Sequence, residues 1–221
     1  MSDELRIKIC CIASVEEMQM ALDAGATALG FVSKMPSGPG PIDEGLIASI
    51  IPHVPAGIDT FLLTSEITAD AIIAQQRRTG ANVLQLVDAV EAGAYHAIRD
   101  ALPDAKIVQV IHVTDSDSVI EAFTAAREVD MLLLDSGNPR LAVKELGGTG
   151  RVHDWTLSRQ IRDGSAVPVY LAGGLNSANA RDAVRSVQPF GLDICSGVRT
   201  DGQLDVVKLQ NFVHAARNAL T

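Results

Sequence analysis

The chain has 221 residues, 47% of them hydrophobic and 20% charged, with a formal net charge of −9. That is the composition of a soluble globular protein, long enough to bury a core without staples. An acidic chain with 4% aromatic residues and no cluster of Lys and Arg excludes a basic nucleic-acid face, but it leaves room for a small phosphorylated ligand held by main-chain N–H groups.

The start, MSDELRIKICC, passes from charge straight into a short apolar run and lacks the long apolar region of a signal peptide. No uninterrupted apolar run reaches the roughly 18 residues of a membrane span. The cysteines are Cys10, Cys11 and Cys195, without framework spacing, which points to reduced thiols in a cytoplasmic protein.

In chain order, the first strand is expected over 6–13, followed by a helix with Ser14 as N-cap, Glu17 three residues on, and Gly25 closing it. A strand over 28–32 leads into the stiff, turn-rich PSGPGP at 36–41. Strands follow over 57–64 and 82–87, with a helix from Thr68 to Gly80 between them. Next come strands over 106–113 and 131–135, around a helix in 115–129. Asp154 is placed to cap a helix beginning near Trp155. Strands over 168–173 and 191–197 enclose a helix in 176–187, and apolar residues at helical spacing over 204–220 close the chain.

The strand runs are almost continuously apolar, as parallel strands buried on both faces should be. Eight strand–helix units in one chain predict a closed (β/α)8 barrel of class α/β, a single domain over 1–221, with a doubly wound sheet as the alternative. Barrel chemistry gathers at the carboxyl ends of the strands. Those ends carry Cys10 and Cys11, Ser33 and Lys34, Thr64, Asp88, His112, Asp135, Gly173 and Gly174, and Ser196 and Gly197.

Three late strand ends are built from small residues: GGTG with Gly148, Thr149 and Gly150, then Gly173 and Gly174, then Ser196 and Gly197. Small residues leave main-chain N–H groups open, and loops after the seventh and eighth strands of barrels often hold phosphate. The stretch RTDGQLD after Val198 leaves room for a short extra helix whose amino end would face the anion. Tight turns alone are the competing explanation.

Asp135 ends an apolar strand, where partial desolvation raises a carboxyl pKa and suits a general acid. Cys10 near a bound phosphate can serve as a base once deprotonated, or simply as a small buried hydrophobe. Lys8 shares a strand face with Cys10, and barrel closure brings the eighth strand beside the first, so Lys8 should pair with Asp193 in a structural role. His112 reads as a rim histidine with its hydrogen bonds met, His153 and Trp155 as loop support, and Cys195 as structural.

KIC, AGATALGFV, LQL, LLLDS, GGTGRVHDW, LAGGLN and GLDICSGV occur in one order along nearly the whole chain. Together they resemble the phosphoribosylanthranilate isomerase family, (β/α)8 enzymes of tryptophan biosynthesis. The resemblance implies an Amadori rearrangement of N-(5-phosphoribosyl)anthranilate, with Cys10 as general base and Asp135 as general acid. It puts the phosphate on Gly148–Gly150, Gly173–Gly174 and Ser196–Gly197, and it needs no metal or organic cofactor. The expected partner is a phosphoribosyl small molecule, with neither nucleic acid nor membrane; self-association into a homo-oligomer stays open.

Four positions depart from the family pattern. Cys11 stands where KICG has glycine, and the stretch after the second strand has no arginine for the anthranilate carboxylate, leaving Lys34 or Arg140 as cations. QLHG becomes QLVD with Asp88 at the rim, and Arg199 replaces a glutamate after SGV. Asp88 is expected either to touch substrate or to cap the fourth helix. Four functions fit the sequence: the isomerase itself, a paralogue isomerising another phosphoribosyl amine, a non-catalytic barrel binding a phosphorylated metabolite, and a different phosphosugar enzyme such as an epimerase, which would have His112 and Asp88 rather than Cys10 face the substrate.

Overall fold

A computed structural model describes residues 5–138, 141, 144–147 and 150–219. Gly148, Thr149 and Arg140, expected in the site, lie outside the described residues.

Eight parallel strands close on themselves in sequence order. They are β1 (Arg6–Ile9), β2 (Ala28–Val32), β3 (Asp59–Thr64), β4 (Val83–Leu86), β5 (Lys106–His112), β6 (Met131–Asp135), β7 (Val169–Leu171) and β8 (Gly191–Ile194). Around them run α1 (Val15–Asp23), α2 (Glu44–Ile50), α3 (Ala69–Thr79), α4 (Ala94–Ala101), α5 (Asp117–Ala125), α6 (Trp155–Gly164), α7 (Ala180–Val187) and α8 (Val206–Arg217). This is the (β/α)8 barrel expected from the strand–helix alternation.

The alternation of side chains along each strand divides the core in two. Ile7 and Ile9 of β1 face outward and join the layer between strands and helices. Cys10, Phe61, Val83, Val108, Leu133 and Tyr170 fill the barrel interior. The Phe61 and Tyr170 rings meet edge to face there, 5.7 Å apart.

The capping signals hold at α1, α3 and α6, whereas the N-caps of α5 and α7, Ser116 and Asn179, make no side-chain cap hydrogen bond. Ser14 Oγ accepts from the Glu17 N–H at 3.2 Å, Thr68 Oγ1 accepts from Ala71 N–H, and Asp154 Oδ1 accepts from Thr156 N–H at 2.8 Å. Glu17 does more than cap. Its carboxylate accepts from Ala13 and Leu204 N–H and pairs with Arg199, tying α1 to the end of the barrel.

Two expectations are corrected. RTDGQLD does not form an extra helix: Arg199–Thr200 and Gln203–Leu204 pair as an antiparallel hairpin, labelled β9 and β10. Asp201 and Gly202, both at positive φ, make its turn, and an Asp-Gly pair favours such a turn over a helix start. The helical element at this end is a single 3-10 turn, Ser196–Val198. The cysteines are not all reduced either, since Cys11 and Cys195 form a disulfide and Cys10 stays free. Barrel closure is the reason: it sets β8 against β1, bringing two Cα atoms 184 residues apart in sequence to 6.0 Å, within disulfide range.

Candidate active site

The carboxyl ends of the strands surround a cleft of about 720 Å³ that opens to solvent. Cys10 and Asp135 both line it, Cys10 just past the end of β1 and Asp135 at the end of β6. Cys10 is 4% exposed and Asp135 is 9% exposed, so each carries its chemistry at the edge of an apolar interior.

The Asp135 carboxylate is held in place by its neighbours. Oδ1 accepts from the Ser136 N–H at 2.7 Å. Gly147 packs against the other oxygen so closely that a Cβ there would sit 2.6 Å from Oδ2. With φ at +128°, Gly147 also holds a backbone conformation that other residues rarely adopt. His153 lies on the far side of Ser136, its Nε2 2.7 Å from Ser158 Oγ and its Nδ1 buried without a partner among the described residues. Burial holds the His153 pKa below the ordinary imidazole value, although Asp135 and Asp154 oppose the shift.

The Cys10 thiol is pushed up to about 11, first by burial and next against the opposing charge of Lys8, with Asp193 adding to the rise. Lys8 Nζ sits 2.9 Å from Asp193 Oδ1, as expected from strand alternation and closure. Burial raises the Asp193 pKa and outweighs the pull of Lys8.

Gly150, Gly173, Gly174 and Ser196 make up another stretch of the wall. Gly197 lies behind Ser196, pressed on the Leu175 carbonyl. Gly174 has φ of +61°, and a Cβ there would meet the Arg151 carbonyl carbon at 2.6 Å, so only glycine fits. Among the described residues, the N–H groups of Gly173, Gly174, Ser196 and Gly197 make no hydrogen bond within the chain. Unpaired main-chain N–H groups are the kind of donor that can hold an anion.

The opposite wall is apolar, made by Val32, Met35, Leu63, Val87 and Leu146. The PSGPGP segment covers it: Ser37 and Gly38 line the cleft, and Ser37 Oγ donates to the Lys144 carbonyl at 2.6 Å. Lys34 is exposed and outside the lining, with its carbonyl accepting from Ser65 Oγ. Asp88 is also outside the lining and does not cap α4, whose N-cap is Gly93. Its carboxylate accepts from Ala89 N–H and pairs with Lys144. His112 is buried beside Asp135 in the β5–β6 register, its Nε2 2.9 Å from the Val87 carbonyl. The expectation of a fully satisfied rim histidine holds for one ring nitrogen only, since Nδ1 is buried without a partner among the described residues.

The departures at Cys11 and Arg199 also have structural explanations. Cys11 takes φ of +65°, the left-handed conformation that suits a glycine, and is tethered to Cys195. Arg199 pairs with Glu17 at 2.7 Å and donates to the Cys11 carbonyl at 2.5 Å, bracing the chain beside Cys10. Gln85 and Asp193 line the cleft unannounced by the reading of strand ends. Strand alternation signals both, since each faces the interior one pleat below the rim.

Fold and site together define a (β/α)8 barrel with a thiol, a carboxyl group and unpaired main-chain N–H groups at one cleft. The family described as N-(5'phosphoribosyl)anthranilate (PRA) isomerase matches residues 7–215, and the chain belongs to it. A relative named N-(5'-phosphoribosyl)anthranilate isomerase 2 from Methanosarcina mazei is 36% identical, covering 97% of this chain and 95% of its own. The N-(5'-phosphoribosyl)anthranilate isomerase of Methanosarcina acetivorans is 32% identical, covering 96% and 93%. A solved phosphoribosyl anthranilate isomerase in complex with reduced 1-(o-carboxyphenylamino)-1-deoxyribulose 5-phosphate shares the fold. Its TM-score is 0.78 at 24% identity, covering 97% of this chain and 99% of that one.

Proposed function

We propose that this chain is a cytoplasmic N-(5'-phosphoribosyl)anthranilate isomerase of tryptophan biosynthesis, a single barrel domain working without metal or organic cofactor. The observation that carries the reading is one cleft lined by Cys10, Asp135 and the late glycines. Family membership and the named relatives support the same activity.

In this reading the phosphate sits on the N–H groups of Gly173, Gly174, Ser196 and Gly197, with Gly150 in the same cleft. The Asp135 carboxyl protonates the furanose ring oxygen, and the ring opens to a Schiff base. The Cys10 thiolate then removes the C2 proton, and the enolamine that results tautomerises to the ketone. One acid and one base are enough for each proton transfer. The apolar wall of Val32, Leu63, Val87 and Leu146 suits an aromatic ring.

The cleft gives one reason to keep a second amine in view. Among the described residues that line it, none is a lysine or an arginine, so the anthranilate carboxylate has no cationic partner there. The test is turnover of N-(5'-phosphoribosyl)anthranilate, run beside a phosphoribosyl aniline that lacks the carboxylate. Rapid turnover of the first supports the proposal. Turnover of the second alone moves the activity to another phosphoribosyl amine. No turnover of either, with phosphate still bound, makes the chain a binding barrel.

A further inference from the structure

Cys10 does not face the barrel interior alone. Lys8 points the same way from β1, fully buried, with its Nζ 5.0 Å from the centre of the Phe61 ring. The register of β1 with β8 sets Lys8 opposite Asp193. Gly30 on β2 keeps the ammonium and the sulfur close, since a Cβ there would lie 3.1 Å from Lys8 Nζ and 2.8 Å from Cys10 Sγ. The two polar atoms therefore flank one point, and a side chain at residue 30 would wedge them apart.

We propose that Lys8 is a positioning residue for the reaction: a buried ammonium, shared with Asp193, whose charge holds the Cys10 thiolate inside the barrel. The inference rests on the reading of Cys10 as proton acceptor. A bare thiolate among Phe61, Val83 and Tyr170 would be costly, because burial disfavours the charged form. Lys8 is the strongest influence favouring the thiolate, and Asp193 competes with the thiolate for the same ammonium. Burial would lower the Lys8 pKa, but Asp193 and then Cys10 outweigh it and raise it. The other charged groups nearby are Asp135, which acts on Asp193 from β6, and Arg199, whose guanidinium is 3.5 Å from the Cys10 carbonyl and is itself neutralised by Glu17. A lysine retained only for packing would have no reason to share its contact with the sulfur.

The test titrates Cys10 directly in the intact protein, by ultraviolet thiolate absorbance taken as the difference from Cys10→Ser. Asp193→Asn frees the ammonium for the sulfur and should lower the midpoint by about one to three pH units. Lys8→Met should raise it, so that the thiolate signal retreats toward the alkaline unfolding limit. A structural pair would lower stability in both variants and leave the midpoint in place, and that result overturns the proposal. If Lys8→Met does not fold, Lys8→Gln takes its place, because loss of the Asp193 charge lowers the midpoint by itself: a raised midpoint supports the proposal, and an unchanged or lowered one sinks it. If neither folds, the double variant Lys8→Met/Asp193→Asn replaces the ion pair with a neutral one, and its midpoint must rise above wild type. Turnover by Cys10→Ser reports separately on the role of Cys10, so failure of the base assignment is distinguishable from failure of the lysine's role.

Discussion

The two halves of the cleft are made from different materials. The side proposed to hold the anion is backbone: Gly173, Gly174 and the Ser196 turn leave main-chain N–H groups unpaired among the described residues. The side proposed for the amine is side chain: Val32, Met35, Leu63, Val87 and Leu146, covered by the PSGPGP segment. Backbone donors tolerate sequence drift as long as glycine stays at the tight positions. Side-chain recognition drifts more freely, but the departures at Lys34 and Asp88 lie outside the cleft lining.

The disulfide joins Cys11, next to the proposed base, to Cys195, the residue before Ser196, so breaking it tests whether the two parts depend on each other. Native-sequence protein, denatured without reductant, should show one free thiol, and three after reduction. A loop closed over 184 residues stabilises by roughly 4 kcal/mol or more in the chain-entropy view. Denaturant titration with and without reductant checks that value. Three free thiols before reduction would show that the tie does not form.

The anion side should break next. Gly174→Val forces a branched residue into left-handed backbone against the Arg151 carbonyl, at a cost of about 3 kcal/mol. The expected result is about a hundredfold loss of kcat/KM, dominated by KM, with the barrel still folded by circular dichroism.

A pH profile sharpens the role of the base. Because the Cys10 thiol lies near 11, kcat/KM should climb with pH across the alkaline range and level off only toward that value. A profile flat from neutral pH upward would mean that no thiol with so high a pKa limits the rate.

Acid stability gives a smaller effect. Burial would raise the Glu17 pKa, but Arg199 with the Ala13 and Leu204 N–H groups holds it below the ordinary carboxylate value. Its stabilisation is therefore complete above the unfolded-state pKa of about 4.3 and is lost as pH falls through the lower folded value. Glu17→Gln should lower stability at neutral pH and flatten the acid limb of a melting-temperature profile. The smallest effect belongs to the amine side: Lys34→Ala should leave KM within about twofold, since an exposed lysine outside the cleft contributes little. A large rise in KM would return Lys34 to the site.

Much of this was legible before any coordinates. β2 and β6 match their apolar runs residue for residue, because each run stops where the ladder stops. β1, β7 and β8 end earlier than their apolar runs, because small and apolar residues continue past the ladder into the cleft. The Lys8–Asp193 pair followed from alternation and closure. The disulfide was hidden although the same closure brings its cysteines together, because Cys11 and Cys195 both lie past the ends of β1 and β8, where the ladder no longer sets the register. α2 and α4 gave weak signals, one following a Pro/Gly segment and the other opening on Gly93 without a side-chain cap. Gln85 escaped notice because attention to strand ends passes over residues one pleat below.

The most direct measurement separates chemistry from binding in Cys10→Ser and Asp135→Asn. Each should lose about a hundredfold or more in kcat toward N-(5'-phosphoribosyl)anthranilate while binding inorganic phosphate as the unaltered protein does. If either variant keeps full turnover, the pairing of that thiol and carboxyl as base and acid is contradicted.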